Sequence, residues 1–218
     1  MMNVEVDSFA GNVVLHAAGE GATASITVVR RAMHGLTRHG ESADSLAQIS
    51  VSYGVEERDG RTTLVVKTTT THVEPWFQAV DIDIALPRLG VAVVRTSHGH
   101  VIISEFEDGV DIETTKGDVR AVTSFVIHLP STILNKEGAI DWRVPPGSSG
   151  LYEMEAVNGV VKARVQDGIW LLTDRRNDHD SMYGTLNAGT NLVILRTADG
   201  DIAAFVGEKP SWFGTFID

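Results

Sequence analysis

Two interleaved series of turns with a common period constrain this chain more than any other feature. Glycines at 99, 117, 138, 159 and 200 are spaced by 18, 21, 21 and 41 residues, the last interval being two steps of about 20. Two residues after each glycine stand Val101, Val119, Ile140, Val161 and Ile202; four after stand Ile103, Ala121, Trp142, Ala163 and Ala204. Five residues before them stand Val94, Ile112, Ile133, Met154 and Leu195, and three before stand Thr96, Thr114, Asn135, Ala156 and Thr197. A second series, Gly90, Gly109, Pro130, Gly150, Gly168 and Gly189, lies between the first at steps of 18 to 21. The period-2 alternation inside each half-unit is that of a strand with one buried face. Units of this length cannot bury that face alone, so they stack on one another.

The expected fold is therefore all-β: a single domain built as a β-solenoid, with coils of about 20 residues. Each coil is expected to stack on the one before it in sequence, about 4.8 Å apart. The solenoid is expected over 80–206, behind an irregular β part over 1–79 and ahead of a capping tail over 207–218. In that tail Trp212, Phe213, Phe216 and Ile217 fall within six residues, with Trp212 and Phe213 expected to plug the last coil. The irregular part predicts a short helix near 42–48, capped by Ser42 or Asp44 and carrying Leu46. It also predicts a hairpin, from Ile49, Val51 and Tyr53 through Glu57-Arg58-Asp59-Gly60 to Leu64 and Val66. The run Val80 to Leu86 reads as a strand that Pro87 ends, with Asp81 and Asp83 facing solvent. Within the template Val119 is expected to be buried and Arg120 exposed.

Composition excludes several functions. Lysine and arginine total 18 against 29 aspartates and glutamates, a net charge of −11. Such a balance repels a phosphate backbone, so no nucleic-acid partner is expected. The absence of cysteine removes disulfides, thiolate metal sites and cysteine nucleophiles. No apolar run approaches the ~20 residues that span a bilayer. No charged segment followed by an apolar core opens the chain, so neither signal peptide nor anchor is expected within it. Nucleotide-binding, zinc-protease and serine-hydrolase motifs are absent, and no cofactor is expected.

The stretch Asp174 to Gly184 breaks the alternation and reads as a polar loop between coils. Asp174, Asp178, His179 and Asp180 in it form the one candidate ligand-binding cluster, since they could offer hard oxygen ligands to a cation. Their spacing matches no calcium loop, and a solvated loop is the competing reading. His98 and His100 flank Gly99, with no third ligand evident for a metal. Thr96, Thr114 and Thr197 read as a structural row whose hydroxyls bond to each other or to the turn backbone, since no base accompanies them. Asp118 and Asp201 read as turn acids. A pair of glycosidase carboxylates needs a fixed separation of roughly 5–10 Å, and no acids recur at one template position in adjacent coils with a nearby arginine.

The runs Val80-Asp-Ile-Asp-Ile-Ala-Leu-Pro87, Arg95-Thr-Ser-His-Gly99-His-Val, Thr114-Thr-Lys-Gly117-Asp-Val and Arg196-Thr-Ala-Asp-Gly200-Asp-Ile carry a resemblance. They resemble the bacterial adhesin-like β-solenoid domain family of unknown function. The likeness covers most of the chain, including the coil at Gly11-Asn-Val-Val-Leu15. It implies a non-catalytic structural or binding module of the cell envelope or extracellular space, and brings no catalytic residues. With no leader segment evident, a cytoplasmic location stays open. A carbohydrate-active β-helix enzyme and a self-assembling scaffold are the alternatives. The ligand, whether protein or glycan, and the oligomeric state are not legible.

Overall fold

The computed structural model describes residues 1–34, 40–58, 60–173 and 177–210. Apart from one short helix and one 3-10 turn, the regular elements among the described residues are all strands. They form a ten-stranded and an eight-stranded sheet, each mixing parallel and antiparallel pairs and neither closing on itself.

Strand pairs that cross from the larger sheet to the smaller make up most of the molecule. They are β1 (Met2–Ser8) with β2 (Val13–Ala17), and β5 (Arg61–Thr70) with β6 (Gln78–Leu86). Then follow β7 (Leu89–His98) with β8 (Val101–Ser104), β9 (Val110–Lys116) with β10 (Val119–Val122), and β11 (Ser131–Glu137) with β12 (Ile140–Val144). The last are β13 (Gly150–Asn158) with β14 (Val161–Val165), and β17 (Leu192–Asp199) with β18 (Ile202–Val206). All pair in parallel, and the template positions coincide across the ladder. Val101, Val119, Ile140, Ile202 and Val161 form one register row, and Val94, Ile112, Ile133, Leu195 and Met154 another; every one is buried.

Their spatial order departs from the expected one. In the larger sheet it runs β5-β1-β7-β9-β11-β17-β13, matched in the smaller by β6-β2-β8-β10-β12-β18-β14. The N-terminal pair is thus inserted between the second and third, and the C-terminal pair between two earlier ones. Each unit offers the same apolar rows and the same turn to both neighbours. The repeat therefore sets register strongly and neighbour identity weakly. By the same token the stretch 1–79 is more regular than expected, since β1, β2 and β5 are full members of the ladder.

The turn glycines show why the units stack so closely. Gly11, Gly99, Gly117, Gly138 and Gly200 all have φ between +117° and +147°. A Cβ on Gly117 would lie 2.6 Å from the Gly99 carbonyl carbon and nearer still to its oxygen, and Gly138 stands in the same relation to Gly117. The residue after each glycine adds a second ladder. Asp81 Oδ1 accepts from Asn12 N (2.9 Å), Asn12 Oδ1 from His100 N (2.9 Å), and His100 Nδ1 from Asp118 N (3.2 Å). Asp118 Oδ1 then accepts from Ala139 N (2.9 Å), and Asp201 Oδ1 from Val160 N (2.8 Å). The acid of the Gly-Asp repeat thus holds the next unit's backbone rather than its own turn. Among the threonines, Thr197 Oγ1 donates to Gly138 O (2.9 Å), as a structural role requires, while the buried Thr114 hydroxyl has no partner.

Antiparallel strands finish the edges. At one end β3 (Ser25–Ala32) pairs with β6, and β4 (Ile49–Arg58) makes the expected hairpin with β5, although Asp59 of its turn lies outside the described residues. The helix α1 (Ser42–Ala47) forms where the sequence places it, but its N-cap is Glu41 and neither Ser42 nor Asp44 caps it by a side-chain bond. At the other end β15 (Trp170–Leu172) and β16 (Ser181–Leu186) pair antiparallel, and β16 runs along β13. The expected loop over 174–184 therefore already becomes strand at Ser181. Before it, His179 O accepts from Val161 N and Asp180 O from Ala156 N, both at 2.8 Å, ending the backbone ladder that one more unit would otherwise continue. The aromatic tail with Trp212, Phe213, Phe216 and Ile217 lies outside the described residues.

On β12 every residue is buried: Ile140, Trp142 and Val144 face the core, and Asp141 and Arg143 pair on the opposite face at 2.7 Å. Arg120, expected to be exposed, is half-buried with its Nε 3.6 Å from Asp141. Tyr152 is fully buried and accepts from Trp142 Nε1 at 3.3 Å; burial pushes its phenol up to about 12.

Candidate functional site

Inserting β1–β2 between two other pairs places four distant segments around one concavity. Its floor is backbone at Gly11 and Gly99, where a Cβ on either would overlap the neighbouring unit. Phe9 enters from the β1–β2 turn, Arg31 and Met33 from the end of β3, and Trp76 from the 3-10 turn Pro75–Phe77. The cleft measures ≈ 600 Å³, within the range of small-molecule sites (about 300–1,000 Å³). Its walls are mostly apolar, yet Trp76 is 66% exposed and Met33 55%. Large apolar side chains held open around a concavity mark an interaction site more often than a stray exposed residue does.

The polar groups at the cleft are few and mostly engaged. The Arg31 guanidinium is tied through Nη2 to Asp81 Oδ1 at 2.6 Å, and its Nε is buried without an acceptor among the described residues. Gln78 is spent on Ser45, through the backbone carbonyl at 2.6 Å and the hydroxyl at 2.9 Å. Ser97 donates to Phe9 O, and the exposed His98 ring stands 3.1 Å from the Ser97 hydroxyl. No carboxylate lines the cleft among the described residues.

The candidate cluster lies at the opposite end of the strand order. Ligand atoms of Asp178, His179 and Asp180 fall within 4.8 Å of one another; Asp174 lies outside the described residues. The hydrogen bond and charge of Asp178, with the charge of Asp180 behind them, raise the His179 imidazole above its ordinary range. In turn the His179 backbone and ring hold Asp178 below the usual carboxylate range. The groups are solvated, and what this segment does in the fold runs through its carbonyls, as described above. His98 and His100 are both exposed at the turn, and His100 Nδ1 is engaged by Asp118 N.

Asp118 and Asp141 border a smaller depression of ≈ 190 Å³ with His100 and Arg120. Asp118 accepts from the Ala139 amide at 2.9 Å and Asp141 Oδ1 from Arg143 Nε at 2.7 Å, while Asp141 Oδ2 is buried with no hydrogen-bond partner among the described residues.

The cleft was not foreseen in the sequence. Its one local signal is Pro75-Trp76-Phe77, an aromatic pair in the polar link between β5 and β6. The other lining residues have no pattern that ties them to it.

No family model matches the chain, and no curated protein is similar to it. Among solved structures, a candidate cell-adhesion protein from Clostridium sporogenes superposes with a TM-score of 0.58 at 12% identity, covering 94% of this chain and 92% of its own. At that identity the likeness is one of fold. A candidate adhesin from Bacteroides fragilis aligns over 94% of this chain and 91% of its own at 12% identity, but its TM-score of 0.37 is too low to support an argument. No described helix is long and apolar enough to cross a membrane.

Proposed function

We propose that this chain is a non-catalytic binding module of adhesin type, a single-domain β-solenoid of the cell envelope, with the Trp76 cleft as its contact surface. The observation that carries the reading is the cleft itself. It has a glycine floor, exposed aromatic walls and no lining carboxylate among the described residues, and the Ser97 hydroxyl that the His98 ring approaches at 3.1 Å donates to Phe9 O. With the Ser97 hydroxyl spent on Phe9 O, the cleft offers contact surface rather than a freed nucleophile. The fold likeness to the Clostridium cell-adhesion candidate and the repeated Thr-x-x-Gly-Asp turns support an adhesin-type role, and through it a partner that is a protein or glycan.

The test is a glycan array and a peptide array probed with the wild type, Trp76→Ala and Tyr53→Ala. The exposed Tyr53 on β4 serves as a remote control. Polysaccharide turnover is measured in parallel. Ligands bound by wild type and Tyr53→Ala, lost with Trp76→Ala and left uncleaved, are expected. Retention by Trp76→Ala, an absence of ligands on both arrays, or cleavage of a bound polysaccharide would overturn the proposal.

A further inference from the structure

The donors left on Arg31 indicate what the cleft takes. Arg95 lies between Asp111 (2.5 Å) and Glu113 (3.6 Å), and Arg196 between Glu153 and Glu155 (both 3.1 Å). Arg58 likewise spans Glu5 and Glu56. Each of these guanidiniums holds two carboxylates, as its forked set of five donors allows. Arg31 holds one, Asp81, as Arg61 and Arg88 hold only Asp108 and Glu107, but Arg31 alone of these three keeps a buried Nε with no acceptor among the described residues. Its side chain, 40% exposed, lies in the cleft wall beside Met33.

Building on the binding-module reading above, we infer that the cleft binds an apolar group bearing a carboxylate, with the carboxylate on Arg31 and the apolar part against Trp76, Phe9 and Met33. An anion is compatible with the net charge of −11, since charges more than about 8 Å away are screened at physiological salt while the guanidinium acts in contact. Asp81 orients Arg31 from outside the lining. It also holds the Asn12 amide at the floor, so the donor is placed before the ligand arrives. Two sources share this chemistry: a free aliphatic acid, and the C-terminal apolar residue of a peptide.

Calorimetric titration of the intact chain with sodium decanoate and with N-acetylphenylalanine separates them. Decanol, N-acetylphenylalanine amide and acetate serve as controls. Binding of at least one acid is expected, weakened about tenfold or more by Arg31→Met, as loss of a charged hydrogen bond implies. Trp76→Ala should weaken it too, whereas Tyr53→Ala should not. The neutral analogues and acetate should bind at least tenfold more weakly. Circular dichroism of Arg31→Met and Arg31→Lys guards against misfolding, and Arg31→Lys should recover part of the lost affinity. Equal binding of decanol and decanoate, or acid binding indifferent to Arg31→Met, would overturn the inference. If neither acid binds while the arrays show Trp76-dependent ligands, this inference falls and the binding-module reading stands. If both experiments are blank, both fall.

Discussion

Replacing Gly117 by alanine probes the turn column directly. The backbone there has φ +125°, and a Cβ would lie 2.6 Å from the Gly99 carbonyl carbon and 3.2 Å from His100 N. Those atoms are backbone of the neighbouring unit, hydrogen-bonded through Gly99 N to Lys116 O (2.8 Å) and Val101 N to Asp118 O (2.9 Å), so they cannot turn aside as a side chain would. Positive φ costs alanine about 1–3 kcal/mol. Relieving the overlap by spreading two units costs about another 1–3 kcal/mol. Alanine also restricts the unfolded chain, which offsets about 0.4–1 kcal/mol. The net is a loss of about 1–5.6 kcal/mol, or a Tm lower by roughly 2–20 °C for a chain of this size. Gly54 on β4 is the control, because a Cβ there meets nothing within 4 Å and φ is not positive. Urea unfolding followed by far-UV circular dichroism reads both. Gly54→Ala should stay within about 0.5 kcal/mol of wild type. A Gly117→Ala midpoint equal to that of Gly54→Ala would refute the close-stacking account.

Val119→Asp buries a carboxylate without a partner and should cost several kcal/mol in the same assay. Arg120→Asp should cost about 1–2 kcal/mol rather than nothing, because it sets a like charge beside the buried Asp141; a neutral result would show that Arg120 does not compensate that acid. The Tyr152 phenol is raised above its unfolded value, so its contribution is complete below about pH 10 and declines as pH rises toward 12, by up to about 1.4 kcal/mol per pH unit. Tyr152→Phe should flatten that alkaline limb of the stability curve, and an unchanged limb would contradict the burial. Deleting 177–181 removes the carbonyls that close the Val161 and Ala156 amides, and should lower stability by about 1–3 kcal/mol in urea unfolding. Unchanged stability would mean the segment is a passive loop.

Burial was the most legible property, because alternation and glycine spacing report locally on which side of a strand faces inward. Val101, Val119, Ile140, Val161 and Ile202 all proved to be core residues in one register row. The hairpin from Ile49 and the helix near 42 were legible for the same reason, being made of neighbours in sequence. The order of the units was not. Val4 fits between Leu64 and Ala92, and Val6 between Val66 and Val94, as well as they would fit at an end, and nothing local distinguishes the two places. The strand at Ser181 was hidden because β16 pairs at the end of the sheet, where its polar residues can face water. The cleft was illegible as a consequence of the order: Phe9, Arg31, Trp76 and Ser97 meet only because β1–β2 is inserted beside β6 and β8.

That insertion underlies both the fold and the cleft, and paired cysteines test it against a chain that has none of its own. Asp7 on β1 is in register with Lys67 of β5 on one side and Arg95 of β7 on the other. Adjacent strands lie about 4.8 Å apart and next-but-one strands about twice that, whereas a disulfide needs Cα atoms within about 7 Å. Asp7→Cys/Lys67→Cys should therefore oxidise to an intramolecular disulfide in the folded protein, as should Asp7→Cys/Arg95→Cys, while Lys67→Cys/Arg95→Cys should stay reduced. If Lys67→Cys/Arg95→Cys crosslinks and the two Asp7 pairs do not, β5 and β7 are direct neighbours, and the inserted strand and the cleft floor it builds are contradicted.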